Sequence, residues 1–266
     1  MDVLHVSPHP DDELIGAPAT LLALRDAGHR IVNFAASLGA PESAERRRTE
    51  LEQACQRAGF ELLVAQRPFG RTSTRPGVGR DSAEHRLSEE LATVIDNGSF
   101  DLVVSPSPHD RHPGHELVAR AVRSVLAGRS RSPRWWLWRL WGELPLPTTI
   151  VSFGVERMTE IMDALAAHTG ELARNDYRAL VEGRGRETRV LAPELIFGFG
   201  SPALEQPYAE ITTEVVRDHD RWLLGRPRLM DPAAPLVAPS GLDISWWLNG
   251  QSVAQRVQAE QVASGA

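Results

Sequence analysis

From Leu4 to Ala127 the chain alternates short, β-rich apolar segments with longer segments of helical periodicity. Leu4 to Ser7 reads as a strand cut by Pro8, and Leu14 to Ala27 as a helix stopped by Gly28. Arg30 to Ala36, Glu61 to Ala65 and Phe100 to Ser105 read as further strands. Glu42 to Ala58, Asp81 to Asn97 (with Ser82 as its cap) and His112 to Ala127 read as the helices between and after them. Strands separated by helices of this length imply βαβ units and a parallel sheet. Right-handed crossovers then give a Rossmann-like, three-layer α/β sandwich with a mostly parallel sheet.

Beyond this point the pattern loosens. Trp135 to Trp141 and Thr149 to Phe153 still read as strands, and Val155 to Ala173 as one helix. Tyr177 to Arg189 is polar, Ala192 to Gly200 is apolar and Gly-punctuated, and the tail from Asp231 carries Pro232, Pro235 and Pro239. No repeat or linker is evident. The expectation is one domain over residues 1–266, with a core over about 1–200 and a C-terminal cap over about 201–266.

Composition excludes several kinds of chemistry. All 29 basic residues are Arg, so neither a Schiff-base lysine nor a P-loop lysine exists. The lone cysteine, Cys55, rules out an intrachain disulfide and a thiolate zinc site. A net charge of −6 argues against a nucleic-acid binder held by phosphate contacts. The N-terminus has no signal-peptide pattern, and no apolar run is long enough for a transmembrane segment. A cytoplasmic, soluble protein is expected; its oligomeric state is not legible.

Two loops carry the chemistry. The loop after the first strand reads His9-Pro10-Asp11-Asp12-Glu13. A dinucleotide-binding fold would place glycines there; carboxylates repel phosphate and attract a cation. The loop after the fourth strand reads Ser107-Pro108-His109-Asp110-Arg111-His112-Pro113-Gly114-His115. Pro113 suits the first helical position, so His112 becomes the N-cap and His115 falls in the first turn. Their i, i+3 spacing lets both imidazoles face one cleft. Imidazoles and a carboxylate without thiolate suit Zn²⁺ with an open position, although Fe²⁺ or another divalent ion fits the same set. The neighbouring Asp11 and Asp12 diverge, so one can ligate while the other works as a base.

The pairing of His9-Pro10-Asp11-Asp12-Glu13 with a later His-Pro-x-His resembles the PIG-L/LmbE-like family of zinc-dependent N-deacetylases. Similar patterns continue at Arg47, Glu50, Ala54 and Gly59, over Trp138 to Val151, at Ala164 to His168 and at Glu194 to Phe197. The resemblance spans Met1 to about Gly200. It implies metal ligands His9, Asp12 and His115, a general base at Asp11, and His112 supporting the oxyanion or protonating the leaving amine. It implies an N-acetylglucosamine-type amino sugar or glycoconjugate as small-molecule substrate, with Arg47 as a substrate contact. The family's second motif is usually His-Pro-Asp-His; here Gly114 replaces the aspartate that orients the first histidine. Asp110 is the residue able to stand in for it or to meet substrate. Gly170-Glu171 stands where Ser-Gln is usual.

Two other functions compete: an amidase for a larger acyl or thiol-conjugate amide, and a non-catalytic sugar- or metal-binding member. Ordinary structural roles are also expected. His5 reads as a core histidine, His109 as a surface-loop residue, and His29, His85 and His219 as structural or solvated. Trp135, Trp136, Trp138 and Trp141 read as packing residues, with a sugar platform as the alternative. The Arg-rich loop from Arg71 to Arg80 reads as a surface loop.

Overall fold

A computed structural model describes residues 1–70 and 80–250. Most of the Arg-rich loop therefore lies outside the described residues. In chain order the strands are β1 (Asp2–Ser7), β2 (Arg30–Ala35), β3 (Glu61–Val64), β4 (Leu102–Pro106), β5 (Arg134–Trp138), β6 (Thr149–Phe153), β7 (Tyr208–Asp218), β8 (Arg221–Leu224) and β9 (Arg228–Leu229). The helices are α1 (Asp12–Ile15), α2 (Pro18–Asp26), α3 (Ala44–Ala58), α4 (Arg80–Gly98), α5 (Pro113–Ala127), α6 (Val155–Leu165), α7 (Thr169–Arg174), α8 (Tyr177–Phe197) and α9 (Ser245–Leu248).

The sheet order is β3-β2-β1-β4-β5-β7-β6-β9, with β8 on β7. The first five strands pair in parallel, as the alternation predicts. Period-two alternation sorts their side chains between two apolar layers. Leu4, Val6, Val103, Trp135 and Leu137 face the layer containing Leu87, Leu91, Val118 and Val122 of α4 and α5. Val3, Val104, Trp136 and Trp138 face Leu21, Leu22, Leu51 and Ile161 of α2, α3 and α6. The sandwich is three-layered. Three of the four clustered tryptophans are core packing, and Trp141 alone among them is exposed.

The structure departs from the expected organisation in the C-terminal part. β7 lies between β5 and β6 and pairs antiparallel with both. Residues after 200 thus complete the sheet rather than cap a finished core. The strand is hard to find in sequence because Thr212, Thr213 and Glu214 break its apolar run, yet all three are buried. The polar stretch from Tyr177 and the apolar stretch to Phe197 are one long helix, α8, with Pro193 inside it. Ser82 lies inside α4 rather than at its cap.

The expected helix from Leu14 breaks at Gly16-Ala17, and α2 restarts with Pro18 in its first turn. Ala17 offers no capping side chain. Glu210 of β7 does this from across the fold, accepting from Ala19 N–H (3.1 Å) and Thr20 N–H (2.8 Å). Burial pushes its carboxyl up to about 7, against the two N–H groups that pull it down. A raised folded-state pKa gives stability that is full below the ordinary 4.5 and is lost as pH rises through about 7. We therefore expect Glu210→Gln to gain in melting temperature relative to the wild type between pH 5 and pH 8. A difference that does not change with pH would contradict this.

β1 and β4 are adjacent, while the chain proceeds from β1 outward to β2 on one side and later to β4 on the other. This is the switch point of the strand order, where open α/β sheets form a crevice at the strand carboxyl ends. Both ligand-rich loops leave the sheet here.

Candidate metal centre

The first loop turns sharply. Asp11 has φ 110°, a left-handed conformation for a non-glycine residue. Such a conformation costs about 1–3 kcal/mol and persists only where surrounding contacts enforce it. Here Leu14 N–H and Ile15 N–H donate to the Asp11 carbonyl (2.9 and 3.1 Å), and the Asp11 N–H donates to Glu13 Oε2 (3.0 Å). The turn delivers His9, Asp11 and Asp12 to the crevice. The second loop has its own left-handed residue, Arg111 (φ 59°). His112 is the N-cap of α5 and Pro113 opens it, as the sequence predicts.

Ligand atoms of His9, His112 and His115 lie within 4.8 Å of one another. Asp12 Oδ2 sits among them, 3.2 Å from His9 Nδ1 and 3.4 Å from His115 Nε2. It also accepts the His9 backbone N–H (2.8 Å). Three imidazoles thus converge from two strand ends, with the Asp12 carboxylate against two of them. Three imidazoles and a carboxylate fit a Zn²⁺-type site. Of the three expected ligands, His9 and His115 lie in the cluster, Asp12 borders both, and His112 joins them.

The electrostatics follow from burial and charge. Burial alone would lower the His115 pKa, but the carboxylates of Asp12 and Asp110 outweigh it and hold it up to about 9. Burial, reinforced by His115 and His9, pushes His112 down to about 4. Its Nδ1 is buried and has no partner among the described residues. This agrees with a glycine at 114, where no carboxylate is available to hold a second proton on that ring. A Cβ at 114 would stand 3.0 Å from the His9 ring, so a larger residue would crowd that ligand. Asp11 is buried, and its carboxyl is raised well above the carboxylate range by that burial and by Asp12 and Glu13.

Asp110 is fully buried. Its Oδ2 accepts a hydrogen bond from His115 Nδ1–H (2.6 Å), leaving Nε2 to face Asp12. Its Oδ1 accepts from the N–H groups of Leu140 (2.6 Å), Trp141 (3.0 Å) and Gly142 (3.2 Å). Both oxygens are engaged in these contacts, none of them with His112, and the Oδ2 contact orients the His115 ring. Arg47 is also buried. It donates to Pro10 O (3.3 Å) and pairs with Glu171 (3.1 Å), bracing the loop that carries Asp11. Trp141 is half exposed and its indole stacks on His112, with ring centroids 6.2 Å apart.

Among the other histidines, His5 is in the core, bonded to Asn33 Oδ1 (2.8 Å) and receiving Trp138 Nε1–H (3.1 Å). His109 bonds the carbonyl of Trp247 (2.7 Å), tying the tail to the second loop. His29 bonds Pro232 O, while His85 and His219 are exposed. Glu13 and His168 form a fully buried pair (2.6 Å) behind the first loop. The inward turn of His168 depends on a break between α6 and α7 that composition does not signal.

Three solved structures share the fold. The zinc inhibited form of teicoplanin deacetylase Orf2 is 18% identical with a TM-score of 0.64, covering 83% of this chain and 100% of that one. An N,N'-diacetylchitobiose deacetylase from Pyrococcus horikoshii is 19% identical with a TM-score of 0.54, covering 80% and 83%. GalB, the 4-carboxy-2-hydroxymuconate hydratase from Pseudomonas putida KT2440, is 19% identical with a TM-score of 0.58, covering 82% and 97%. No curated protein sequence matches the chain. Among the described residues, no helix is long and apolar enough to cross a membrane. Residues 4–126 match the PIG-L family model, GlcNAc-PI de-N-acetylase. That segment contains His9, Asp11, Asp12, Asp110, His112 and His115, so both ligand loops lie inside the part of the chain that is similar to the PIG-L family.

Proposed function

We propose that the protein is a metal-dependent hydrolase that removes the N-acetyl group from an N-acetylglucosamine-type amino sugar or its conjugate. The observation that carries this reading is the convergence of His9, Asp12, His112 and His115 at the strand-order switch point, with the buried Asp11 beside them. The family match and the fold shared with two deacetylases support it. His9, Asp12 and His115 would hold the cation, which we take to be Zn²⁺. When bound there, the cation supplies Lewis acidity and lowers the pKa of water to ~7.

The chain's own residues do the rest. Asp11 accepts a proton from the attacking water; its raised pKa makes its carboxylate a stronger base than a solvated one. His112 is neutral near pH 7, because its pKa is pushed down to about 4. It therefore serves as a hydrogen-bond donor to the developing oxyanion rather than as a full positive charge. Collapse breaks the C–N bond. The proton held by Asp11 passes to the departing nitrogen, leaving acetate and a free amine. Asp110 keeps His115 Nε2 aimed inward throughout.

The shared fold of the muconate hydratase matters here, since hydration also needs an activated water. Acetate release distinguishes the two. A panel of N-acetylglucosamine conjugates, assayed with and without chelator, should yield acetate from at least one member only while metal is present. Metal-bound protein that releases none would overturn the deacetylase reading. Release of a larger acid from a larger amide instead would identify an amidase of broader acyl range.

A further inference from the structure

We propose that His168 is a positioning residue for this reaction, acting through Glu13 on the backbone of Asp11. The inference rests on the reading of Asp11 as the proton acceptor. Its physical basis is the left-handed turn at that residue. An aspartate at φ 110° is held there from two sides. Its carbonyl is fixed by the N–H groups of Leu14 and Ile15, which belong to helix formation. Its N–H is fixed by one side-chain oxygen, Glu13 Oε2, at 3.0 Å.

That carboxylate is itself anchored. Its other oxygen, Oε1, accepts from His168 Nε2 at 2.6 Å, and both side chains are wholly buried. A carboxylate only accepts, so Nε2 carries the proton. His168 is far away in sequence and is presented by the break between α6 and α7. Its backbone is fixed on both sides: its N–H donates to Leu165 O (3.0 Å), and its carbonyl accepts from Leu172 N–H (3.0 Å). Among the described residues its Nδ1 has no partner, and the Glu13 contact is the one hydrogen bond its ring makes. The buried pair crosses from the α6–α7 junction to the α1 turn and ends on the amide of the residue that must meet the substrate water. Without it the turn keeps its carbonyl contacts but loses the restraint on its N–H, and the Asp11 carboxylate is free to rotate away from its working position.

The test uses the full-length, metal-loaded protein and two readouts. In His168→Ala, hydrogen–deuterium exchange over residues 8–15 should quicken. Turnover should fall on the order of 10²-fold, the usual cost of a small misplacement of a reacting group. KM and bound-metal stoichiometry should stay near wild type. His168→Gln restores a donor near the Nε2 position and should recover most of both losses. Glu13→Gln conserves volume and removes the charge, giving a second route if the alanine variant does not fold. It should quicken exchange over the same segment. Unchanged exchange in residues 8–15, or lost turnover that His168→Gln does not recover, overturns the proposal. A wild-type protein that hydrolyses no acetamide would sink the functional reading alone, because exchange still decides the role of His168.

Discussion

Asp11→Asn is expected to lower kcat on the order of 10²- to 10⁴-fold, the range a general base contributes, while one equivalent of metal stays bound. The substitution keeps size and leaves the backbone contacts at Leu14, Ile15 and Glu13 available. It removes the one property the reaction needs, a carboxylate able to take a proton. The adjacent Asp12 cannot take over. Its Oδ2 is engaged with His9 and His115, and those contacts outweigh its burial and hold its pKa well below the usual range, making it a weak base. Two neighbouring carboxylates with opposite shifts divide the work between ligand and base. A near-normal rate in Asp11→Asn with metal bound would remove Asp11 from the mechanism.

His115→Ala is expected to abolish stoichiometric metal binding, whereas His112→Ala should retain it. The contrast separates the three-histidine cluster from the His9, Asp12 and His115 set, which distance alone does not. Asp110→Asn should weaken binding by roughly 10- to 100-fold, as expected for a group that orients a ligand. The same geometry sets a pH dependence. In the metal-free protein the His115 pKa is held up to about 9, so below that pH the metal must displace a proton. Apparent affinity should rise with pH and level off near 9. Titration with Zn²⁺ under a competing chelator measures both. Full metal content in His115→Ala would sink the ligand assignment.

Much of this site is visible in the sequence because its residues lie close together in two short loops. Five functional positions fall within His9 to Asp12 and His112 to His115, and local rules place them: Pro113 opens a helix, His112 caps it, and strand alternation puts both loops at one edge of the sheet. The residues that fix these groups are less legible because their partners are distant. Asp110 looks like a loop carboxylate until the N–H groups of 140–142 are folded against it. Arg47 resembles an exposed member of an arginine run until Pro10 and Glu171 close around it. His168 needs a helix break that no proline or glycine announces before residue 168. The strand β7 escapes for a related reason: Thr212 Oγ1 meets Thr149 Oγ1, Thr213 Oγ1 donates to the Leu146 carbonyl, and Glu214 Oε2 accepts from Arg228, contacts that no period-two pattern contains.

The placement of β7 has a consequence for biogenesis. β5, with its run Trp135-Trp136-Leu137-Trp138, is made long before its antiparallel neighbour. During synthesis from the N-terminus, both ligand loops and the parallel half of the sheet emerge while one edge of β5 has no strand to cover it. Such an edge is a template for pairing with another chain. The nascent protein thus passes through an interval in which its metal-binding loops exist but its most aromatic strand is open to misassociation. Fragments ending before residue 208 retain that edge indefinitely, so they should aggregate even though they carry every proposed ligand.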